Sequence, residues 1–213
     1  MSNKNVSEVA LVAAAAGVAT AAASEPPRRD VEDLIAKIKG KDENARTDAW
    51  VNAGRIGAPA VEPLATVMAD PDLETARAAK RGLWQIVRHA GRPDAGKERR
   101  AVVAQLILLL KDGRPDGVRR EALWMLSEIG GKESVKPVAA LLQSGELRED
   151  ARCALERISG KQSLQALQAA LDSVPDDFKQ NIAQSLRKRG VEVEGFPCVK
   201  RKPTKETKVK PLA

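Results

Sequence analysis

The feature that most constrains the fold of this chain is an internal repeat of helix-forming segments. Two kinds of segment alternate from Asp30 onward, and the first kind recurs at intervals of 30, 41, 33 and 29 residues. A period of this length is typical of stacked two-helix units. The first segments begin near Val31, Val61, Val102, Val135 and Leu164, and the second near Ala45, Thr75, Val118, Leu147 and Phe178.

The third and fourth copies of the second segment align without a gap and share one apolar face. The matching positions are Val118, Ala122, Leu126 and Ile129 in one copy and Leu147, Ala151, Leu155 and Ile158 in the other. Their spacing of four, four and three residues is that of one face of an α-helix. A single hairpin cannot bury such a face alone, so we expect the five copies to stack around one core.

Glycine and proline mark the predicted ends of these helices. A glycine follows or closes the second segments, where a left-handed residue is needed, at Gly57, Gly131, Gly160 and Gly190. Pro63 and Pro137 are predicted to lie in the first turns of their helices, where proline removes only an amide that lacks a helical partner. Asp70 and Pro71 have the pattern of an N-cap and first-turn pair. Residues 91–100 are predicted to be an inserted polar connection.

The composition favours helices over strands. The chain has three Trp, two Phe and no Tyr, so its core must consist mainly of Ala, Leu, Val and Ile. Strands are normally enriched in aromatic and β-branched residues, whereas small aliphatic residues suit close helix packing. We therefore predict an all-α fold.

The chain resembles the HEAT-repeat family over roughly residues 31–191. The resemblance rests on the repeat period, the paired helices and the motif IGAPAVEPL followed by DPDLETARAA. The resemblance is strongest to the short repeats first noted in phycocyanobilin lyases. It implies an armadillo-like, right-handed α-solenoid of about five helix hairpins, whose second helices line a concave face. We expect three parts: an Ala-rich leader over residues 1–29, the solenoid over 30–195, and a basic, disordered tail over 196–213.

The leader contains an apolar run over residues 9–23 that is too short and too rich in alanine for a membrane span. It has the layout of a secretory signal, but an Ala-rich leader of a cytoplasmic protein has the same composition. Both interpretations stay open, and with them a cytoplasmic or an exported location.

The formal charge of +7 is unevenly distributed. Six basic residues against Glu206 give the tail +5, residues 1–30 sum to zero, and residues 31–195 carry only +2. The one dense basic cluster of the predicted solenoid comprises Arg77, Lys80, Arg81 and Arg88, with Arg99 and Arg100 nearby. Such a cluster is either a solvated surface or a site for an acidic partner or phosphate.

All three tryptophans lie on second segments, and the helical period places Trp124 on the side opposite its own apolar face. Trp84 occupies the equivalent position in the second copy, and Trp50 is predicted to pack between repeats. Trp124 and Trp84 either anchor a partner or cover seams between helices. The candidate partner-binding residues are Trp124, Trp84, Arg120, Arg77, Arg81 and Arg88.

Nothing in the sequence points to catalysis. The single histidine, His89, has no nucleophile placed beside it, and we expect it to be a capping or surface residue. Cys153 is predicted to be a buried thiol, although a bridge to Cys198 stays open. We predict no catalytic, cofactor-binding or metal-binding residues.

The favoured interpretation is a non-catalytic scaffold or adaptor that binds a protein partner on its concave face. The alternative is binding of nucleic acid or an acidic partner through the second-repeat basic cluster and the lysine-rich tail. A bilin lyase-like enzyme is a remote alternative that only the family resemblance implies. The identity of the partner and the oligomeric state stay open.

Overall fold

The structure is a computed structural model, and it describes residues 28–197. This part of the chain forms ten α-helices and three short 3₁₀ helices, Ala53–Arg55, Ala58–Ala60 and Leu141–Gln143, which lie in the connections. The helices are α1 Arg28–Lys39, α2 Glu43–Asn52, α3 Val61–Val67, α4 Leu73–Ala90, α5 Gly96–Leu108, α6 Asp116–Ile129, α7 Lys132–Ala140, α8 Arg148–Arg157, α9 Lys161–Ser173 and α10 Asp176–Lys188.

Consecutive helices pair into five hairpins, and the hairpins stack in chain order. Each odd-numbered helix contacts the next odd-numbered helix, and each even-numbered helix contacts the next even-numbered one. The result is two parallel layers of helices, which confirms the predicted all-α, armadillo-like solenoid. Within residues 28–197, no helix is both long and apolar enough to cross a membrane.

The core is continuous from the first hairpin to the last and runs from Leu34 to Leu186. The apolar positions predicted on α6 and α8 are all buried, with Ala122, Leu126 and Leu155 at 1% exposure or less. This burial confirms that the four, four, three spacing marks the face of each second helix that packs inward.

Three of the four predicted left-handed glycines adopt that conformation: φ is 74° at Gly57, 106° at Gly160 and 82° at Gly190. The prediction for Gly131 was wrong, because its φ is −123°. Helix α6 ends instead at Gly130, where an added Cβ would lie 2.4 Å from the carbonyl oxygen of Leu126. Crowding rather than a positive φ explains the glycine at this helix end.

Pro63 lies in the first turn of α3, as predicted, but Pro137 lies inside α7. The prediction for Pro137 was wrong because α7 begins at Lys132, before the expected start near Val135. Lys132 and Glu133 favour a helix and extend it back to Gly131. Pro137 then forfeits only the bond to the carbonyl of Glu133, which belongs to the first turn.

The N-cap of α4 is Asp72 rather than Asp70. The Asp72 carboxylate accepts a hydrogen bond from the backbone N–H of Thr75 at 2.8 Å. Asp70 instead accepts one from the backbone N–H of Asp72 at 3.0 Å. The predicted cap was two residues early because both aspartates have local backbone donors, and only the turn geometry selects between them.

The predicted polar connection over residues 91–100 is shorter than expected, because α5 already begins at Gly96. The Arg92 guanidinium donates two hydrogen bonds to the Glu98 carboxylate, at 2.6 and 2.9 Å. This pair joins the turn to the first turn of α5, so residues 96–100 extend the helix instead of forming a loop.

Both ends of the predicted solenoid differ slightly from the described structure. Helix α1 begins at Arg28, so two residues assigned to the leader are helical. After α10, Arg187 donates hydrogen bonds to the carbonyl oxygens of Val193 and Phe196, which places the start of the predicted tail against the last hairpin. The rest of the leader and tail, including Cys198, lies outside the described residues, and so does the proposed bridge to Cys153.

Arg189 directly follows α10 and reaches into the preceding hairpin. Its guanidinium donates to the carbonyl oxygens of Leu155 at 2.9 Å and Ile158 at 3.0 Å. These carbonyls end α8 and have no helical partners of their own. Arg189 therefore caps a neighbouring helix where an apolar residue stands in other repeats.

Candidate functional site

The second helices α2, α4, α6, α8 and α10 form one layer of the molecule, here called the second-helix face. All three tryptophans lie on it, one on each of α2, α4 and α6. Trp50 and Trp84 are half-buried, and Trp124 is 40% exposed. The exposure of Trp124 confirms that it points away from the core of its own hairpin.

A groove of about 350 Å³ lies between α2 and α4. It is lined by two indole rings and four basic side chains: Trp50, Trp84, Arg77, Lys80, Arg81 and Arg88. We call it the basic–aromatic groove. Four of the six candidate residues meet here, together with Trp50 and Lys80, which sequence reasoning had left out of the candidate set.

Two side chains of the groove are held by one carboxylate of the next hairpin. The indole N–H of Trp84 donates to Glu121 Oε1 at 2.5 Å, and Lys80 Nζ lies 2.7 Å from Glu121 Oε2. The Glu121 side chain is only 14% exposed, so this contact is largely shielded from water. The Trp84 ring is therefore fixed in orientation before any ligand arrives.

The remaining cations of the groove differ in how far their charge is neutralised. Arg77 pairs with Glu74 at 2.7 Å on the exposed surface. The Arg81 guanidinium lies over the Trp50 ring, 5.5 Å from its centroid, which is a cation–π contact. Among residues 28–197, neither Arg81 nor Arg88 has a carboxylate within ion-pair distance. With four basic residues against Glu74, α4 carries a formal charge of +3.

The other two candidates, Trp124 and Arg120, lie outside the groove. The indole N–H of Trp124 donates to Asp150 Oδ1 at 3.0 Å, and Arg120 Nε donates to Asp150 Oδ2 at 2.9 Å. Both contacts join α6 to α8. The structure thus shows these side chains bridging a seam between hairpins, and a role for them in binding stays a prediction.

The contacts around Glu121 and Asp150 are two copies of one arrangement. In each, a cation and a tryptophan four residues apart share a carboxylate on the next second helix. Sequence reasoning missed this pattern, although the gapless alignment places Glu121 and Asp150 at equivalent positions. Trp84 and Glu121 are 37 residues apart, so their contact can be predicted only once it is known which helices are neighbours.

One part of the chain matches a known repeat family. Residues 103–187 match the family model described as HEAT repeats. This segment consists of HEAT repeats. The basic–aromatic groove lies on the two hairpins before the matched segment, whereas Trp124 and Asp150 lie within it.

Several solved repeat proteins resemble the chain at low identity. An engineered protein is 22% identical, with 75% of this chain and 78% of that one covered and a TM-score of 0.40. Computationally designed armadillo repeat proteins for modular peptide recognition are 19% identical, with 73% and 80% covered and a TM-score of 0.42. A designed armadillo repeat protein in complex with the peptide (KR)4 is 17% identical, with 73% and 80% covered and a TM-score of 0.41. These similarities carry no conclusion about binding, and no curated protein matches the chain.

Arg46, Arg119 and Arg148 occupy corresponding positions in three of the second segments, and the first two act within their own hairpins. Arg46 donates to the carbonyl oxygen of Gly40 at 2.5 Å, and Arg119 donates to that of Leu110 at 3.2 Å. Each contact ties a second helix to the end of the first helix before it. Arg148 instead reaches the next HEAT repeat, where it pairs with Asp177 at 2.6 Å and lies over the Phe178 ring.

The densest group of titratable side chains belongs to the last two HEAT repeats. Arg152 pairs with Glu149 at 2.5 Å and with Glu156 at 2.8 Å. The hydrogen bond from Arg152 holds the pKa of Glu149 below its usual value. The prediction of a buried Cys153 was wrong, because the residue lies beside the buried face of α8 and is only half-buried. Partial burial still raises the pKa of its thiol, which keeps the sulfur protonated at neutral pH. The group has the character of a structural network rather than a reactive site.

His89 is half-exposed near the carboxyl end of α4, with Nε2 3.7 Å from Glu98 Oε2. This is the surface position that the sequence predicted for it. Across residues 28–197, no three His, Cys, Asp or Glu side chains converge in a way that could hold a metal ion.

Proposed function

We propose that this HEAT-repeat protein is a non-catalytic binding module that holds a protein partner at the basic–aromatic groove of its second-helix face. The observation that carries the proposal is the lining of that groove. Two of the three tryptophans of the chain and four basic side chains converge there. Tryptophan and arginine are the residues most enriched among the hot spots of protein interfaces.

The geometry of the groove also supports tight binding. Glu121 fixes Trp84 and Lys80, and the Trp50 ring supports Arg81, so several side chains already have defined positions. A surface that is ordered before binding loses less conformational entropy when the partner arrives. The proposed docking surface is therefore preorganised rather than merely charged.

The chemistry of the groove favours binding over catalysis. Its described lining contains indole rings, guanidinium groups and an ammonium group, without a hydroxyl, thiol, imidazole or carboxylate. Guanidinium and ammonium groups remain protonated at neutral pH and serve poorly as general bases or nucleophiles. Recognition is the function that this set of groups supports best.

Nucleic-acid binding is the second candidate, and the formal charge of +3 on α4 is the observation in its favour. The same layer carries acidic side chains on α6 and α8, including Glu121, Glu128 and Glu149. Because a nucleic acid is held by a series of phosphate contacts along its backbone, this short basic segment favours a protein partner.

Reversing the two unpaired charges of the groove tests the proposal. The Arg81→Glu/Arg88→Glu variant and the wild-type chain are tagged, and the proteins captured from the native host are compared by quantitative mass spectrometry. A matched control, Lys132→Glu/Lys136→Glu, reverses two exposed charges on α7 in the opposite layer. All four side chains are exposed, and the groove variant loses only the cation–π contact of Arg81 with Trp50. We therefore expect its melting temperature to fall slightly and that of the α7 control to stay unchanged.

The expected result is a partner that the wild type and the α7 control retain and the groove variant loses. The captured protein is then purified and added back to each chain to establish direct binding. Equal retention by the groove variant and the wild type would contradict the proposed docking surface.

A further inference from the structure

We propose that the partner segment held in the basic–aromatic groove is a short, extended acidic peptide with two carboxylates flanking an apolar side chain. This inference rests on the proposed function and specifies the chemistry of the partner. It follows from the charge of the groove, the positions of its cations and the place where its positive surface ends.

Charge complementarity centres on Arg81 and Arg88. Both are exposed, and within the described residues neither has a carboxylate at ion-pair distance. Lys80 and Arg77, by contrast, already have partners in Glu121 and Glu74. A guanidinium can stack on an aromatic face and still donate in its own plane, so Arg81 can bind a carboxylate while it lies over Trp50.

The spacing of these arginines suits an extended peptide. Arg81 and Arg88 are seven residues apart on one helix, which corresponds to about 10 Å along its axis. An extended chain advances about 3.3 Å per residue, so carboxylates three residues apart span about 10 Å and those four residues apart about 13 Å, a difference that flexible glutamate and arginine side chains cover. With a spacing of four, both carboxylates and the side chain midway between them lie on the same face of the peptide.

Trp84 supplies the apolar contact between the two charges. It lies between Arg81 and Arg88 in the sequence, it lines the same groove, and its ring is held by Glu121. An apolar residue of the peptide packed against this ring would bury hydrocarbon from both sides. The groove volume of about 350 Å³ accommodates a few side chains rather than a folded domain.

The positive surface ends at the next hairpin, which argues against a long polyanion. Beyond Trp84 and Arg88 the adjoining pocket includes Glu128, which pairs with Arg157 at 2.5 Å. A nucleic acid extending in that direction would meet the Glu128 carboxylate, whereas a short peptide held at Arg81 and Arg88 would end before it. The lysine-rich tail of the chain, at +5, has the same sign as the groove, so the tail is not the complementary segment.

Fluorescence anisotropy with the full chain tests the inference. The probe is a short labelled peptide with two glutamates four residues apart and a leucine midway between them. A second probe replaces both glutamates with glutamine, and a third is an oligothymidine of the same net charge as the first. The protein variants are Arg81→Gln/Arg88→Gln and, as the matched control, Lys132→Gln/Lys136→Gln.

The expected result is that Arg81→Gln/Arg88→Gln weakens binding of the glutamate peptide by about tenfold or more, while the α7 control leaves it unchanged. Replacing both glutamates of the peptide should weaken binding to the wild type. The loss should equal the one caused by Arg81→Gln/Arg88→Gln with the glutamate peptide. Any contribution of the basic tail is common to all the proteins, so it cancels between variants that are probed with the same peptide.

The inference is overturned if the two double variants bind the glutamate peptide equally, or if both peptides bind the wild type equally. If the wild type binds the oligothymidine more tightly than the glutamate peptide, and the groove variant loses that binding, the groove is a nucleic-acid site instead. If Arg81→Glu/Arg88→Glu loses the captured protein and yet no acidic peptide binds, the proposed function stands and this inference alone fails.

Discussion

At the scale of single residues, the helix ends depend on close backbone contacts that one side chain can break. Gly130 ends α6 where a Cβ would lie 2.4 Å from the carbonyl oxygen of Leu126 and 3.0 Å from Ser134 Oγ. The hydroxyl of Ser134 is itself buried. Because the obstructing atom of Leu126 belongs to the backbone, a larger residue at position 130 must displace the helix end.

We expect Gly130→Ala to lower the free energy of unfolding by about 1 to 3 kcal/mol, as other insertions into packed sites do. Gly117→Ala is the matched control, because Gly117 lies in the same helix with open space at its Cβ position. Alanine there should raise the stability by about 0.5 to 1 kcal/mol through its better helix propensity. Urea unfolding measures both values, and a wild-type stability for Gly130→Ala would refute the crowding explanation.

At the scale of helices, shared carboxylates connect neighbouring second helices across the stack. Glu121 accepts from Trp84 and pairs with Lys80, and Asp150 accepts from Trp124 and pairs with Arg120. Each connection joins a helix of one hairpin to the corresponding helix of the next. These contacts hold adjacent second helices together, and the Glu121 contact also fixes two side chains of the groove.

Replacing each tryptophan with phenylalanine separates the hydrogen bond from the burial of the ring. We expect Trp84→Phe and Trp124→Phe to lose about 1 kcal/mol more stability than Trp50→Phe, since each forfeits a bond to a carboxylate. Trp50→Phe is the control, because the Trp50 indole N–H has no hydrogen-bond partner within residues 28–197. Thermal or urea unfolding provides the comparison, and equal losses in all three variants would show that the indole bonds contribute little.

The helices also show which parts of the fold the sequence could reveal. The inward faces of α6 and α8 were predictable because burial repeats with the helical period, and all eight positions are buried. Helix starts such as those of α4 and α7 were predicted less well, because single polar contacts decide between adjacent residues. The groove was partly predictable as a basic cluster, but the roles of Trp50 and Glu121 depend on which helices become neighbours.

At the scale of the whole molecule, the family signal and the candidate site lie in different parts of one solenoid. The HEAT match covers residues 103–187, and the basic–aromatic groove lies between α2 and α4. Residues 31–195 carry a formal charge of only +2, although α4 alone carries +3. The positive charge is therefore concentrated on α4 rather than spread along the solenoid.

The central claim is that the partner docks in the basic–aromatic groove, and the three tryptophans provide a direct test. In a ¹⁵N-labelled chain each indole N–H gives its own nuclear magnetic resonance signal, which the three Trp→Phe variants assign. The unlabelled protein captured from the host is then titrated in. The account predicts that the Trp50 and Trp84 signals shift or broaden more than the Trp124 signal. Unchanged Trp50 and Trp84 signals in a saturated complex would contradict it.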